Sequence, residues 1–495
     1  MKIFLIIALI IYTLTTLYIF IYTILQCHLT VAYVKWKKKK ITQPIYNEND
    51  AIRVTVQLPI YNEPYVTERL VNAVCALQYP QHLLDIQILD DSNDETIEIA
   101  NNCAAHWAAK GFDIKVIRRA DRIGFKAGAL KYGLEFAKAE FIAIFDSDFV
   151  PNPDFLIKTV PVLNQPNIGM VQTRWGHTNR EFSLITKAQA FWLENHFRIE
   201  QTSRSNLQLF FNFNGTAGIW KKQAILEAGN WQADTLTEDL DLSYRAQVKG
   251  WQFLYLEDTV SPAELPPTLA AFKSQQFRWT KGGAEVSRKM IPTILRSKQS
   301  FAVKFHAIGH LLNSGVYLAI AISAFLSIPL LFIKDVIPQL RGTLSIGVIF
   351  FSNFIILGIT YYLATKDYFK AKGFLAFLKM FQIYLSIAAG MCFHNSRAVL
   401  QGYFGKKSPF IRTPKFNAET NGIEAIQRFT TKKIGKGIYL YFTLFTLFAS
   451  ALVYGILSKN FGFLVFHATL TIGLGLLIYF ELADHRRYTR NAMAA

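Results

Sequence analysis

The 495-residue sequence contains only four cysteines, Cys27, Cys75, Cys103 and Cys392, and no two of them lie close together in the chain. The lack of a Cys-x-x-Cys pair excludes the usual ligand spacing of a structural zinc site, and it also excludes a disulfide framework. We therefore expect the soluble part of the chain to occupy a reducing compartment.

Acidic residues are also scarce, with 35 Asp and Glu against 53 Lys and Arg, which gives a net charge of +18. Such a charge could serve nucleic-acid binding. However, the basic residues cluster beside apolar segments, a pattern that favours anionic membrane lipids and a negatively charged substrate over nucleic acid. The alternative is that the surplus Lys and Arg only mark the cytoplasmic side of a membrane.

Long apolar runs are abundant. The chain is 51% hydrophobic and contains 41 Phe, which is typical of an integral membrane protein. Residues 3–25 are long enough to span a bilayer and lack a small-residue cleavage site, so they indicate a retained anchor. A lysine-rich run at 35–40 follows, which predicts that the next part of the chain is cytoplasmic.

Between residues 50 and 290, short apolar strands alternate with helical segments. Strands are predicted at 53–60, 85–92, 114–120 and 140–148, with helices at 68–78, 96–109 and 126–137. This alternation predicts a parallel α/β sheet, whose ligands bind at the carboxyl ends of the strands. Asp90-Asp91 and Asp146-Ser147-Asp148 fall at two such ends.

Apolar segments recur after residue 290, at 306–333, 345–364, 374–392, 436–457 and 461–482. If 374–392 crossed the membrane, the basic stretch 402–415 would lie outside, against the charge bias. The segment also carries Lys379, His394 and Arg397 within or just after its apolar run. We therefore predict five spans and one interfacial helix at 374–392, with six spans as the alternative.

Two acidic motifs suit a nucleotide and its metal. Asp146 and Asp148 alternate on an extended chain end, so both carboxylates can face one Mg²⁺ or Mn²⁺ ion together with phosphate oxygens. Asp90 and Asp91 could accept hydrogen bonds from a nucleoside, or could cap the helix that follows.

A third motif, Thr237-Glu238-Asp239, stands before a predicted helix. Asp239 could act as a general base for an acceptor hydroxyl, and helix capping is the alternative. In Gln275–Trp279, on a predicted amphipathic helix, Arg278 suits a diphosphate and Trp279 offers an apolar face to a sugar ring. The alternative is an Arg–Trp anchor at the membrane interface.

Taken in order, these motifs resemble those of family 2 processive glycosyltransferases of the cellulose-synthase type, most closely the plant cellulose-synthase-like mannan and glucan synthases. The motifs are YNEP (61–64), DDS (90–92), KAGAL (126–130), DSD (146–148), VQTRWGH (171–177), FNGTAGIWKKQAILEAGNW (213–231), TEDLDLSYRAQVKGW (237–251) and QQFRWTKGG (275–283). Residues 410–415 are similar to the family's gating-loop pattern, with Arg412 in place of Val.

The resemblance implies a GT-A (Rossmann-like) domain and a role for each matching residue. Asp239 would be the catalytic base, and Asp146 and Asp148 would bind the metal. The residues implied in nucleotide binding are Tyr61, Glu63, Asp90, Asp91, Lys126, Asp146, Arg278, Thr413 and Lys415. The acceptor would meet Glu238, Gln275 and Trp279. For Tyr61 and Glu63, an ordinary strand-to-turn transition is the alternative.

The resulting hypothesis is a membrane-embedded, inverting, metal-dependent processive β-glycosyltransferase with Mg²⁺ or Mn²⁺ as cofactor. It would use UDP-glucose or GDP-mannose to extend, and export, a β-glucan or β-mannan. Transfer of a single sugar to a lipid acceptor such as ceramide or polyprenyl phosphate is the alternative. A non-catalytic transporter or sensor fits less well, because Asp239 stands beside a complete carboxylate pair.

The expected organisation has five parts: an anchor at 1–34, a cytoplasmic GT-A domain at 50–290, transmembrane and interfacial helices at 300–403, a gating-loop region at 404–433, and a hairpin with a short tail at 434–495. Because few residues follow the last apolar segment, we expect no regulatory domain of the kind that binds cyclic dinucleotides in bacterial cellulose synthases.

Overall fold

The computed structural model describes residues 1–37, 44–339, 346–408, 415, 417, 435 and 437–492. Its strands are β1 (Val54–Ile60), β2 (Leu84–Asp90), β3 (Asp113–Ile117), β4 (Phe141–Ile144), β5 (Ile168–His177), β6 (Gly218–Lys221) and β7 (Gln252–Ala263).

Helices surround and follow these strands. In the α/β domain and before it they are α1 (Lys2–Trp36), α2 (Thr67–Cys75), α3 (Thr96–Ala109), α4 (Phe125–Phe136), α5 (Phe155–Leu163), α6 (Leu184–Glu194), α7 (Gln201–Asn206), α8 (Lys222–Glu227) and α9 (Glu238–Val248). After it come α10 (Leu269–Arg296), α11 (Phe301–Leu311), α12 (Gly315–Leu330), α13 (Ile333–Val336), α14 (Ile346–Phe369), α15 (Phe374–Tyr403), α16 (Gly437–Leu457) and α17 (Leu464–Ala492).

The described strands form one seven-stranded sheet in the order β3-β2-β1-β4-β6-β5-β7. The four strands and three helices predicted from periodicity are confirmed, and β3, β2, β1 and β4 are parallel as expected. The sheet as a whole is mixed, because β6 runs antiparallel between β4 and β5. This strand has four residues, as β4 has, and its antiparallel direction is set by pairing with β4 and β5, which a sequence pattern does not reveal.

Both faces of the sheet are covered, which is why its strands read as continuous apolar runs. One hydrophobic cluster includes Val56 and Ile86, and the other includes Leu130, Trp220 and Leu242. All five side chains are fully buried. The rigid strands therefore hold the loops at their carboxyl ends in fixed positions.

The acidic motifs do meet at one edge of the sheet. Ile60, the last residue of β1, pairs with Asp90, the last residue of β2, and β4 ends two residues before Asp146. Because β1, β2 and β4 are parallel neighbours, the loops after them lie side by side.

Within the described residues, five helices are long and apolar enough to cross a membrane: Lys2–Trp36, Phe301–Leu330, Phe374–Tyr403, Gly437–Leu457 and Phe461–Arg486. The number of candidate spanning helices agrees with the predicted five, but they are not the same five segments. Phe374–Tyr403, expected at the interface, qualifies by length and composition, whereas α14, which covers the predicted 345–364 span, is not among the five. The polar residues of Phe374–Tyr403 are spread so widely that a long apolar stretch remains. Interfacial placement of this helix stays a prediction.

Two of these helices pack backbone to backbone through glycine. A Cβ added at Gly473 on α17 would overlap the Ser386 carbonyl oxygen of α15, and one added at Gly390 would lie 2.8 Å from the Gly473 carbonyl carbon. Small residues at such crossings let helices in a membrane approach closely and gain van der Waals contact.

We predict that Gly473→Ala destabilises the chain, because its methyl group must push α15 and α17 apart. The expected loss is about 1–3 kcal/mol, the usual cost of overpacking. It would be measured as a lower Tm of the purified full chain in detergent. Gly437→Ala is the matched control, since no atom of the described residues lies within 4 Å of a Cβ at that glycine. Equal Tm values for the two variants would contradict the prediction.

Candidate functional site

A cavity opens at the carboxyl ends of the central strands and collects almost all of the predicted site residues. Those that line it are Tyr61, Glu63, Asp91, Lys126, Asp146, Asp148, Glu238, Asp239, Gln275, Arg278, Trp279 and Lys415. Two predicted residues are not among them: Thr413 lies outside the described residues, and Asp90 is buried behind the cavity wall. We call this space the donor cavity.

Asp90 and Asp91 have different surroundings. The Asp90 carboxylate is buried, accepts two hydrogen bonds from Arg118 and accepts a third from the Ser92 backbone N–H. Asp91 is paired with Arg119 but also lines the donor cavity. Of the two carboxylates predicted to contact a nucleoside, only Asp91 is placed to do so, while Asp90 ties β2 to the chain after β3.

An arginine that the sequence motifs did not single out lies at the same end of the cavity. The guanidinium carbon of Arg122 is 3.3 Å from the centroid of the Tyr61 ring. Both residues line the donor cavity. The stacked pair forms a flat cationic surface that suits a nucleobase or a diphosphate.

Lys126 connects Asp146, in the motif predicted to bind a metal, with the loop that contains Gly215. Its ammonium group donates to Asp146 Oδ1 at 2.5 Å and to the Gly215 carbonyl oxygen at 2.8 Å. The other carboxylate of the motif, Asp148, is buried and lies 2.7 Å from Lys415 Nζ. Each of these two carboxylates is therefore paired with a cation, and the same cation could also bind a phosphate group.

The aspartate pair fits a divalent ion. Among the described residues, Asp148 Oδ1 is buried without a hydrogen-bond partner, which is unusual for a carboxylate oxygen and leaves one ligand atom available. In the described part of the chain, no three His, Cys, Asp or Glu side chains cluster closely enough to hold a metal. Phosphate oxygens would have to complete the shell, as is common for Mg²⁺.

Asp239 is in the first turn of α9 and faces the Gly215 loop. Gly215 has a φ of +82°, and a Cβ there would lie 2.9 Å from Asp239 Oδ2, so both backbone conformation and space require glycine. Burial, followed by the charge of Glu238, raises the pKa of Asp239 to about 7, with Lys126 and Arg278 opposing the shift. A carboxylate with this pKa can accept a proton near neutral pH.

Helix α10 reaches the site through a second glycine. A Cβ at Gly282 would lie 2.5 Å from Thr237 Cγ2 and 2.6 Å from Thr237 Oγ1, so the helix touches the loop before Asp239. On the same helix, Glu285 Oε2 accepts a hydrogen bond from the Leu236 backbone N–H at 2.8 Å. Arg278 and Trp279, one turn earlier on α10, are thereby fixed relative to Asp239.

A second cavity, of about 390 Å³, adjoins the first and extends among the apolar helices. We call it the acceptor cavity. The two share Trp175, Leu193, Asn214, Thr237, Asp239 and Trp279. Trp279 and Trp192 have ring centroids 6.0 Å apart, and both line the acceptor cavity, so it presents aromatic faces near Asp239.

A polar network lines the acceptor cavity beyond the tryptophans. It is carried by the π-helix Asn195–Glu200, a geometry often found at functional sites. His196 lies 3.1 Å from Glu200 and 2.9 Å from Asn214 Oδ1, and Arg204 lies 3.2 Å from Glu200. The sequence offered no signal for these residues, because a π-helix has no recognisable period and its polar side chains resemble an ordinary helix face.

His177 is another lining residue without an assigned role. It ends β5 and faces the donor cavity. Burial lowers the pKa of His177 to about 4, so the ring is neutral at pH 7. The VQTRWGH motif could have indicated this residue, since the histidine is the last residue of that motif.

Comparison with known proteins agrees with this geometry. Residues 52–282 match the model of a family described as glycosyltransferase like family 2. Glucomannan 4-beta-mannosyltransferase 2 of Arabidopsis thaliana is 46% identical over 252 residues, which are 50% of this chain and 47% of that protein. Glucomannan 4-beta-mannosyltransferase 1 of Oryza sativa subsp. japonica is 44% identical over 251 residues, 50% of this chain and 48% of that protein. The chain thus spans about half the length of the curated relatives it matches.

Among solved structures, the mannosyltransferase PcManGT from Pyrobaculum calidifontis, in complex with GDP-Man and Mn²⁺, is similar with a TM-score of 0.52. The match covers 80% of this chain and all of that one, at 18% sequence identity. At this identity the similarity concerns the fold alone. It supports a GT-A-like, Rossmann-like domain with a mixed sheet, accompanied by helices that are able to span a membrane.

We predict that Gly282→Ala lowers the transfer rate with little change in donor affinity, because the methyl group must displace Thr237 and with it Asp239. A displacement of about 1 Å can cost roughly 100-fold in rate. Gly283→Ala is the matched control, since a Cβ there would make only ordinary contact with Ser314 at 3.6 Å. Initial rates of sugar transfer would be compared, and a fully active Gly282→Ala enzyme would contradict the packing argument.

Proposed function

Because residues 52–282 match the model of glycosyltransferase like family 2, we propose that the chain is a membrane-embedded, inverting, processive β-glycosyltransferase that extends a β-mannan. The observation that carries the proposal is the position of Asp239. It stands where the donor cavity meets the acceptor cavity, next to the cations and carboxylates suited to a nucleotide diphosphate.

The chain's own residues divide the chemistry between them. The Asp239 carboxylate takes the proton of an acceptor hydroxyl as the hydroxyl oxygen attacks the anomeric carbon. The bond between that carbon and the diphosphate breaks in the same step, so an α-linked donor gives a β-glycoside. Arg278 and Lys126, which line the same cavity, stabilise the negative charge that develops on the departing diphosphate.

Asp146 and Asp148 would hold a divalent ion, Mg²⁺ or Mn²⁺. When bound, such an ion supplies Lewis-acid stabilisation of the diphosphate oxygens. Asp91, Tyr61 and Arg122 would position the nucleoside at the other end of the cavity. We propose that Glu63 and Lys415 also bind the nucleotide. The prediction that Thr413 binds it is part of the same proposal.

GDP-mannose is the donor we favour over UDP-glucose. The curated relatives that match at 44–46% identity are named as glucomannan mannosyltransferases, and the solved structure with a similar fold holds GDP-Man. A saccharide acceptor suits the acceptor cavity, which is lined by aromatic rings and by polar side chains such as His196. Glu238, Gln275 and Trp279 would hold the sugar that receives the mannosyl group.

We also propose that the α/β domain faces the cytoplasm, between α1 and the later apolar helices. The lysine-rich segment begins at Lys35 in the last turn of α1, in agreement with the positive-inside tendency. The division of the chain at residues 34, 50, 290, 300, 403 and 434 is retained as part of this proposal. Nucleotide sugars would then reach the site from the cytoplasm.

The proposal is tested by incubating membranes that contain the chain with radiolabelled GDP-mannose or UDP-glucose, with Mg²⁺ or Mn²⁺, and by sizing the products. We expect a β-linked mannan polymer from GDP-mannose. If the product were instead a single labelled sugar on an extractable lipid, the lipid-acceptor alternative would be correct and polymer synthesis would not. Incorporation from UDP-glucose alone would overturn the choice of donor.

Asp239→Asn should lower kcat by about 10²–10⁴-fold, the usual contribution of a positioned base, because the amide cannot accept the proton. Binding of GDP-mannose, measured by calorimetry, should persist. Asp258→Asn is a suitable control, since Asp258 is an exposed carboxylate on β7. Wild-type rates in the Asp239→Asn enzyme would remove this residue as the base.

The pH profile gives an independent test of the base. Since Asp239 must be ionised to accept a proton, kcat/KM should fall as the pH drops below about 7, not near 4 as for an ordinary aspartate. Glu238→Gln removes a negative charge that raises the pKa of Asp239. The acid limb of the kcat/KM profile should then move to lower pH, whether or not the maximal kcat/KM changes. An unmoved or raised limb would contradict the assignment.

A further inference from the structure

The VQTRWGH and FNGTAGIW motifs meet in a buried polar contact beside the two cavities. Gln172 of the first motif is fully buried, and its Oε1 accepts a hydrogen bond from the Asn214 backbone N–H at 2.9 Å. Gln172 Nε2 donates to the Thr216 carbonyl oxygen, and the Gly215 carbonyl oxygen accepts from Lys126. The backbone around Asn214 is therefore fixed, and this residue lines both the donor cavity and the acceptor cavity.

Hydrogen bonds from neighbouring amides determine the orientation of the Asn214 side chain. Asn212 Nδ2 donates to the Phe213 carbonyl oxygen at 3.2 Å and to Asn214 Oδ1 at 3.0 Å. Gln201 Nε2 donates to the Asn212 carbonyl oxygen and to Asn214 Oδ1, both at 3.3 Å. Because a backbone carbonyl can only accept, both donors are nitrogen atoms, and the atom of Asn214 that faces them must be its oxygen.

His196, on the π-helix Asn195–Glu200, makes a third contact with the same oxygen. Its Nε2 lies 2.9 Å from Asn214 Oδ1, and its Nδ1 lies 3.1 Å from Glu200 Oε2. Burial alone would raise the pKa of Glu200, but the hydrogen bond with His196 and the charge of Arg204 hold this pKa well below its usual range. Since a carboxylate can only accept, Nδ1 carries a hydrogen, and this bond holds the imidazole ring against Asn214.

The second amide atom, Asn214 Nδ2, is a hydrogen-bond donor. It is buried, and no described residue accepts a hydrogen bond from it. Such a donor is costly to leave unpaired, so it indicates a ligand. The next residue, Gly215, is so close to Asp239 that an added Cβ would lie 2.9 Å from Asp239 Oδ2. Of the two cavities, His196 and Asn212 line only the acceptor cavity, which places the Asn214 side chain on the acceptor side.

We propose that Asn214 is a specificity-determining residue of the acceptor cavity, which donates from Nδ2 to one hydroxyl oxygen of the sugar beside Asp239. His196 is its positioning residue, because it holds the amide in this orientation through its contact with Glu200. The proposal rests on the proposed saccharide acceptor and adds a hydrogen bond that selects among sugars by the position of one hydroxyl group. A site that supplies such a donor discriminates against an analogue that lacks the matching oxygen.

Calorimetry with β-linked mannotriose and the purified full chain in detergent would test the proposal, without a nucleotide so that no transfer occurs. Analogues that lack one hydroxyl group of the non-reducing sugar, each in turn, would be compared with the parent saccharide. We expect one analogue to bind about fivefold more weakly to the wild type, the effect of one neutral hydrogen bond. In Asn214→Leu, which has a side chain of similar size, this difference should disappear.

Asn164→Leu is the matched control, because Asn164 is exposed and lines neither cavity, so this variant should keep the fivefold difference. His196→Leu gives an independent test, since it leaves Asn214 itself intact. It should reduce the difference in part, which a general loss of stability would not do, because both saccharides are compared on the same folded protein. An unchanged difference in His196→Leu would overturn its positioning role.

The outcomes separate this proposal from the proposed function. If the wild type binds mannotriose but Asn214→Leu keeps every difference among the analogues, the role of Asn214 is wrong and the saccharide acceptor is not affected. If the wild type binds no saccharide, the proposed acceptor is wrong, and the role of Asn214 is wrong with it.

Discussion

The site depends on one ammonium group. Lys126 Nζ holds Asp146 at the end of β4 and the Gly215 carbonyl in the loop before β6, two segments that are 69 residues apart in sequence. Gly215 in turn lies against Asp239, so the Lys126 contacts set the separation between Asp146 and Asp239. Such a partly buried cation costs desolvation, and its several acceptors offset that cost. Its charge also opposes the rise in the pKa of Asp239, which keeps this carboxyl group able to ionise.

Helix α10 extends this fixed geometry to the membrane helices. Gly282 brings the helix against Thr237, and one turn later Glu285 holds the Leu236 backbone N–H. On its other side, the fully buried Lys281 donates to Lys406 and to Ser408 Oγ at 2.6 Å, just beyond α15. A buried lysine without these acceptors would be strongly destabilising. Asp239 and the end of α15 therefore share one rigid support, and α15 cannot shift freely without disturbing the loop before Asp239.

Much of this arrangement could be predicted from the sequence, and the remainder could not, for physical reasons. Buried parallel strands can be recognised in the sequence as continuous apolar runs. Asp91, Asp146 and Asp148 could be predicted as site residues because they lie where those runs end. The split between Asp90 and Asp91 depends on Arg118 and Arg119, whose contacts are decided by tertiary packing. The antiparallel direction of β6 is decided by its pairing with β4 and β5, and the π-helix that carries His196 is too short to show a period. Length and composition alone also cannot separate an interfacial helix from a spanning one, as Phe374–Tyr403 illustrates.

The junction of the two cavities constrains how a polymer could grow. Asp239 and Trp279 border both spaces, so under the proposed function the new bond would form at their boundary, with the nucleotide on one side and the acceptor on the other. The donor side is lined by cations as well as carboxylates, and a diphosphate could pair with those cations whereas a neutral saccharide could not. The acceptor side combines aromatic rings with His196 and Asn212, a mixture that suits successive sugar rings presenting apolar faces and hydroxyl edges. In the reaction that we propose, a product that stayed in the acceptor cavity after each transfer would keep its end beside Asp239. Repeated addition would then require only that the chain advance by one sugar and that the diphosphate leave from the opposite side.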